Sequence, residues 1–394
     1  MQSSGLMRFS SLVDRISGDG YDAWVTHYEA AAARARGEDV IVLSVGDPAL
    51  DAPPAVIDRA VERLRAGDLR YTPASGRLPL LEAIAKLHTA RTGQPVSPEN
   101  VVYLAGAQNA LFVALMCVAG SGDEVITFDP MYATYPATIE VSGARMIRAA
   151  TGAGFRPDIG GIESLVTPRT RALVWATPAN PSGVIINQAE LNAIGEIVRH
   201  HDLWVISDEV YAGLAPGGRV PSLAATLPER ALTISSLSKS HSMPGLRAGW
   251  LVGPRELAKH AEALAMCMLF GLPGFIQEAA IAALSVAADA EHRIREFCSA
   301  RRDRLLAGLR GIPGIRPTVP EAGMFMLVDV SDTGLSAAEF ARALYKRERV
   351  SVMDGAAFGR RTASFVRICF ATEEATIDAA CARILRFCEE GLPR

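Results

Sequence analysis

Lysine chemistry in this chain has few possible carriers: 394 residues contain 40 lysines and arginines, yet only Lys86, Lys239, Lys259 and Lys346 are lysines. Lys239 stands apart from the other three. The run ISSLSKSHSMPGLRAGW leads an apolar strand into a serine-rich turn, places the lysine inside it and supplies Arg247 eight residues later. The hydroxyls of Ser236 and Ser238, the backbone N–H groups of the turn and a guanidinium make a donor set for a phosphate. A lysine beside such a cradle suits imine formation with a phosphorylated aldehyde. Lys86 and Lys259 lie in partly charged helical stretches and Lys346 in the polar run YKRER, where a solvated side chain is the expectation.

Asp208 ends the apolar run LWVISDEVYAG. An acid at the carboxyl end of a strand points into the crevice where open α/β sheets bind ligands, and its burial is costly unless a cation or donor meets it. A protonated pyridine nitrogen is such a partner, and Tyr211 stands three residues on to reach a phenolic oxygen of the same ring. Taken alone, Asp208 also reads as a helix N-cap. Asn180 in WATPANPSGV is explained by turn chemistry, and LAGAQNAL by a strand–turn–helix unit that offers the amides of Ala107 and Gln108 to a phosphate. Each gains meaning only in company.

These groups need a sheet to hold them. From about residue 97 short apolar runs (VVYLAG, DEVITF, RALVWAT, LWVISDE, ALTISS, AGWLVG) alternate with helical patterns, which predicts an α/β fold with a mostly parallel sheet covered on both faces. After about residue 288 a long charged helix and the strands MFMLVDV and FVRICF predict a smaller α+β domain. The expected organisation is 1–50 as an irregular N-terminal segment joining the small domain, 51–288 as the large domain and 289–394 as the small C-terminal domain.

Composition narrows the partners. A net charge of −3 offers no basic field for nucleic acid. No apolar run is long enough to span a membrane and no signal segment is visible. The six cysteines, at 117, 267, 298, 369, 381 and 388, show no metal-ligand spacing, so reduced thiols, no metal and a cytoplasmic setting are expected. There is neither a G-x-G-x-x-G after a strand nor a G-K-[ST] run, which argues against a nicotinamide oxidoreductase.

Together the segments resemble the class I/II aminotransferases, and the likeness runs through nearly the whole chain in order: Gly46-Asp47-Pro48, Tyr71-Thr72, Gly106-Ala107-Gln108, Asn180-Pro181-Ser182-Gly183, Asp208-Glu209-Val210-Tyr211, Ser236-x-Ser238-Lys239, Arg247 and Arg367. The resemblance implies the fold type I architecture and pyridoxal 5′-phosphate as cofactor, with Lys239 as its Schiff-base lysine and proton shuttle. Asp208 would then pair with the pyridine nitrogen, and Asn180 and Tyr211 with the ring oxygen. Ser236, Ser238, Arg247, Ala107 and Gln108 would hold the phosphate, helped by Tyr71 from a partner subunit of a homodimer. Tyr132 resembles the aromatic residue that stacks on the ring, a core tyrosine being the other reading. Arg367 would clamp the substrate α-carboxylate, with Gly46 and Asn180 beside it. An arginine inside an apolar strand independently calls for an anion. The chain departs from the family's pattern at Pro244-Gly245-Leu246, where Thr-Gly-Trp is frequent, and at Asp354-Gly355, where Pro-Gly is common.

Within the family the likeness is to transaminases of guanidino amino acids, including arginine:pyruvate transaminases and the enduracididine aminotransferases of antibiotic biosynthesis, through SLSKSHSM, ALAMCMLFGLP and GMFMLVDV. It implies a basic amino acid such as arginine as donor and a 2-oxo acid such as pyruvate or 2-oxoglutarate as acceptor. A guanidinium calls for a carboxylate, and Asp19, Asp22 and Glu29 are N-terminal candidates. The alternative within the same fold is an oxidase or hydroxylase acting on arginine.

Overall fold

The computed structural model describes residues 9–16 and 22–390. Its strands, in chain order, are β1 (Ile41–Val42), β2 (Val101–Ala105), β3 (Glu124–Asp129), β4 (Arg145–Ala150), β5 (Thr170–Ala176), β6 (Trp204–Asp208), β7 (Ala231–Ser236), β8 (Ala248–Val252), β9 (Arg316–Pro317), β10 (Phe325–Asp329), β11 (Val350–Ser351), β12 (Met353–Asp354) and β13 (Phe365–Cys369). Seven of them form one sheet in the order β2-β8-β7-β6-β5-β3-β4. β4, β3, β5, β6 and β7 run parallel. β8 is antiparallel to both of its neighbours, β7 and β2.

Residues such as Val205, Ile206, Leu232 and Ile234 are buried on both faces of this sheet, as the continuous apolar runs require. One face packs on the helix Ala107–Val118 through Leu111 and Leu115, the other on the helix Gln188–His200 through Leu191 and Ile194. Each such burial contributes about 1.5–3 kcal/mol. The architecture has a direct consequence for chemistry. Because β2, β3, β5, β6 and β7 all point the same way, their carboxyl ends open on one edge, and the loops that leave that edge meet.

A second sheet has the order β12-β13-β10-β9, all antiparallel. It packs on the helices Ala337–Glu348, Glu374–Glu390 and Ala287–Leu309 through Phe340, Phe387 and Ile294. β1 pairs in parallel with β11, so the N-terminal stretch is sewn to the C-terminal part of the chain.

The expectation of an irregular N-terminus fails in part. Ser11–Ile16 (α1) and Asp22–Ala35 (α2) are helices. The run EAAAARA has high helix propensity, but its buried side is made of Ala30 and Ala33, so it carries little of the apolar periodicity that marks a helix in sequence. The half-exposed strand β4 was likewise not picked out, because its burial pattern is that of a sheet edge.

Candidate active site

The loops at the common strand edge form a cleft of about 130 Å³, lined among others by Ala107, Gln108, Tyr132, Asn180, Asp208, Tyr211, Ser236, Ser238, Lys239 and Arg247. Gly46 and Arg367 are not in its lining but adjoin it by hydrogen bonds to Lys239 and Asn180. Lys239 lies in the short helix Leu237–Ser240 that follows β7 directly, and its Nζ donates to the Gly46 carbonyl at 2.5 Å. Burial lowers its pKa against the opposing pull of Cys369 and Asp47, with smaller pushes downward from Arg367 and Arg247, so the neutral amine is easier to reach than in water.

Asp208 ends β6 and is buried. Its carboxyl accepts from the Val210 N–H at 3.2 Å and the Tyr135 hydroxyl at 3.5 Å. These do not offset desolvation, and burial pushes its pKa up to about 7. A buried acid in that state is a receptor for an incoming N–H cation. The Asx contact to Val210 forms a turn and not a helix cap: the 3-10 helix that follows, Ala212–Leu214, has Tyr211 at its N-cap, so the capping reading of Asp208 does not hold.

At the other end of the cleft lies an anion cradle. The helix Ala107–Val118 starts at Gly106, whose φ of +85° and missing side chain leave the helix without a side-chain cap. Its first N–H groups thus face the cleft. Room is limited there: a Cβ on Gly106 would come within 2.5 Å of the Arg247 guanidinium, and one on Gly249 within 2.5 Å of the Gly106 carbonyl carbon. Arg247, itself at φ +53°, donates to the carbonyls of Pro244 at 2.9 Å and Ala105 at 3.2 Å, which hold the guanidinium over the helix start. Ser236 caps the lysine helix, its hydroxyl accepting from the Ser238 N–H at 3.3 Å. The side chain of Gln108 is turned away, bonded to Thr134 and Thr138, so only its backbone belongs to the cradle.

Arg367 on β13 is fully buried. Its Nη1 donates to the Asn180 side-chain oxygen at 2.9 Å and its Nη2 to the Ser44 carbonyl at 2.8 Å. The guanidinium is sandwiched between aromatic faces, 3.9 Å from the Phe325 centroid and 4.4 Å from that of Phe358. The acceptors it meets are neutral oxygens, and burial pushes its pKa down to about 10. Two of its five N–H groups are used in these bonds, which leaves donors for an anion.

Ten of the residues predicted from sequence therefore line the cleft, and Gly46 and Arg367 join them by direct bonds. Tyr71 does not: its ring is 86% exposed and rests edge-on against Phe270 at 4.9 Å. Tyr132 is at the cleft, in T-shaped contact with Tyr135 at 5.7 Å. Tyr135, Ser44, Phe325 and Phe358 were missed. Only Tyr135 carried a signal, as the second tyrosine of MYATY. Among the acids considered for a guanidinium, Asp19 and the side chain of Asp22 lie outside the described residues, and Glu29 is exposed on α2.

The geometry and donor set fit an aromatic phosphate ester: an anion cradle at one end, an acid for a ring nitrogen at the other, and a desolvated lysine between them. Comparisons agree. Residues 38–384 match the family model for aminotransferase class I and II. The chain is 44% identical to the arginine–pyruvate transaminase of Pseudomonas aeruginosa over 96% of this chain and 97% of that protein. It is 30% identical to the aspartate aminotransferase of Bacillus subtilis, covering 92% and 94% of the two chains. The solved structure of Thermus thermophilus aspartate aminotransferase with maleate superposes with a TM-score of 0.91 at 29% identity, covering 97% of this chain and all of that one.

Proposed function

The chain belongs to the class I and II aminotransferases, with the fold type I architecture, and we propose that it uses pyridoxal phosphate to move the amino group of L-arginine, or a similar guanidino amino acid, to pyruvate. The observation that carries the substrate is the near full-length likeness to a transaminase named for that pair.

The cofactor, when bound, supplies a carbonyl carbon that condenses with amines and a ring that draws electrons from the substrate α-carbon. The protein's own residues do the rest. The amides of Ala107 and Gln108, with Ser236, Ser238 and Arg247, would hold the phosphate. Asp208 would hold the proton on the ring nitrogen, Asn180 and Tyr211 would hydrogen-bond the ring oxygen, and Tyr132 would stack on the ring. Arg367 binds the α-carboxylate, which orients the α-hydrogen toward Lys239. The Nζ of Lys239, kept easy to deprotonate by burial, would be the group that carries the proton between Cα and the carbonyl carbon the cofactor supplies.

We read the enzyme as a cytoplasmic homodimer, with the small domain formed by the N-terminal segment and residues 289–394. Support for the dimer comes from the exposed Ile57, Leu64, Leu69, Tyr71, Met266 and Phe270, apolar surface of the kind that marks an interface. Tyr71 would then serve the partner's phosphate. The free cysteines agree with a reducing compartment.

The test is direct. Purified enzyme given L-arginine and pyruvate should form L-alanine without consuming oxygen, and Lys239→Ala should lower the rate by at least about 10³-fold, within the range for a positioned acid–base group. Oxygen uptake with arginine alone, or alanine formation that survives Lys239→Ala, would refute the assignment.

A further inference from the structure

Strand β3 ends in Asp129, a buried carboxylate outside the cleft lining. Burying a carboxylate is costly unless donors meet it. Those that do are two consecutive backbone groups: the Arg360 N–H donates to Oδ2 at 3.0 Å and the Arg361 N–H to Oδ1 at 3.1 Å. Both belong to the segment that follows β12, folded as the short turns Gly355–Phe358 and Arg360–Thr362. Met131 adds a third bond, its N–H donating to the Phe358 carbonyl at 2.8 Å. The bend between the two turns sits tightly on the acid, since a Cβ on Gly359, whose φ is +136°, would overlap the Asp129 carboxylate.

The segment is also closed on itself. The Thr362 hydroxyl donates to the Gly355 carbonyl at 2.8 Å, and the Ala356 N–H to the Asp354 carboxylate at 3.0 Å. What fixes one end of it therefore fixes Phe358, whose ring lies 4.4 Å from the Arg367 guanidinium. The ring on the other side, Phe325, needs no such anchor, because β10 pairs directly with β13, the strand of Arg367. Phe358 stands outside that ladder, so its place is set by the bonds to the end of β3.

We propose that Asp129 is a positioning residue for the carboxylate clamp: by holding the 358–361 segment it keeps the Phe358 ring against Arg367 and so fixes the plane of the guanidinium. The proposal rests on the reading of Arg367 as that clamp. A guanidinium grips a carboxylate through a flat, two-pronged fork, and a tilt of the fork sacrifices one of the paired bonds. Only an ionised carboxylate accepts from both backbone groups at once. An amide in its place accepts from one and turns an NH₂ toward the other.

The experiment compares the holoenzyme with Asp129→Asn, Asp129→Ala, Arg367→Met and the double variant of Asp129→Asn with Arg367→Met. It measures kcat and KM for L-arginine and pyruvate, and calorimetric binding of pentanoate, an unreactive carboxylate. Asp129→Ala should raise both KM values about tenfold and Asp129→Asn about fivefold, with kcat changed by less than about twofold and pentanoate weakened by the same factors as KM. With Arg367→Met already present, Asp129→Asn should add no further loss, because residues that act through one group are not additive. Wild-type KM and pentanoate affinity in Asp129→Asn, or a loss of equal size with and without Arg367, would overturn the proposal while leaving the clamp in place. Pentanoate binding that Arg367→Met leaves unchanged would instead remove the clamp reading itself, and the positioning role with it. If arginine is not turned over, the pentanoate comparison decides in the same way.

Discussion

Arg367 Nη1 donates to the Asn180 side-chain oxygen at 2.9 Å, joining a strand of the small sheet to a loop of the large one across 187 positions of sequence. With the Ser44 carbonyl and the rings of Phe325 and Phe358, this contact holds a guanidinium in the interior with no carboxylate paired to it among the described residues. Its Nε is buried without an acceptor there, which supports the proposed role as a carboxylate clamp.

Replacing Arg367 with Met should therefore separate binding from folding. KM for arginine and for pyruvate should both rise by roughly 10- to 100-fold, the range for losing hydrogen bonds to a charged group. Thermal stability of the cofactor-free protein should stay level or increase, because a desolvated charge is removed. A large fall in melting temperature would show that the arginine is structural.

Asp208 gives a pH signature. Its carboxyl lies at about 7 in the fold against an ordinary 3.8, raised by burial. The folded state therefore holds a proton that the unfolded state has released, so stability is highest below about pH 4, falls as pH rises toward 7 and is flat above. The neighbouring buried Glu209, also raised to about 7 by desolvation, titrates in the same direction. Cofactor-free protein should melt at lower temperature at pH 8 than at pH 5, with a shallower slope in Asp208→Asn. Added pyridoxal phosphate should raise the pH 8 melting point more in the wild type than in the variant. Calorimetry across this range checks it, and identical slopes would count against the assignment.

Gly46 has no space for a side chain, because an added Cβ would overlap the Phe325 ring. Gly46→Ala should cost about 1–3 kcal/mol as an overpacking change. It should also lower kcat, since its carbonyl holds Lys239 and its segment supports Arg367. Unaltered melting and turnover would mean that the loop shifts freely.

Tyr71 predicts a trans effect. Sedimentation should show a dimer, and Tyr71→Phe should keep that dimer while holding pyridoxal phosphate about fivefold more weakly, the worth of one hydrogen bond. A monomer with full cofactor affinity would rule out the trans role.

Much of the chemistry was legible in the chain itself. Residue type and spacing singled out Lys239, Asp208 and Arg367 because each is costly or inexplicable in its local setting: a lysine in a serine turn, an acid at a strand end, an arginine in FVRICF. The continuous apolar runs likewise marked every strand of the large sheet except β4, and their alternation with helices implied a mostly parallel sheet whose carboxyl ends share an edge. Local rules carry this information because propensity, capping and solvation act over a few residues.

Tertiary structure decided the partners. No local pattern could pair Ser44 with Arg367, aim Tyr135 at Asp208, or close Phe325 and Phe358 over a guanidinium, because these contacts depend on where two sheets and a returning N-terminal segment are packed. The same holds for α2, whose alanine face hid it in sequence and whose His27 meets Ser44 only in the fold. Tyr71 shows the converse: its motif is plain in the chain, but the fold turns it outward, away from its own cleft and toward whatever surface covers it.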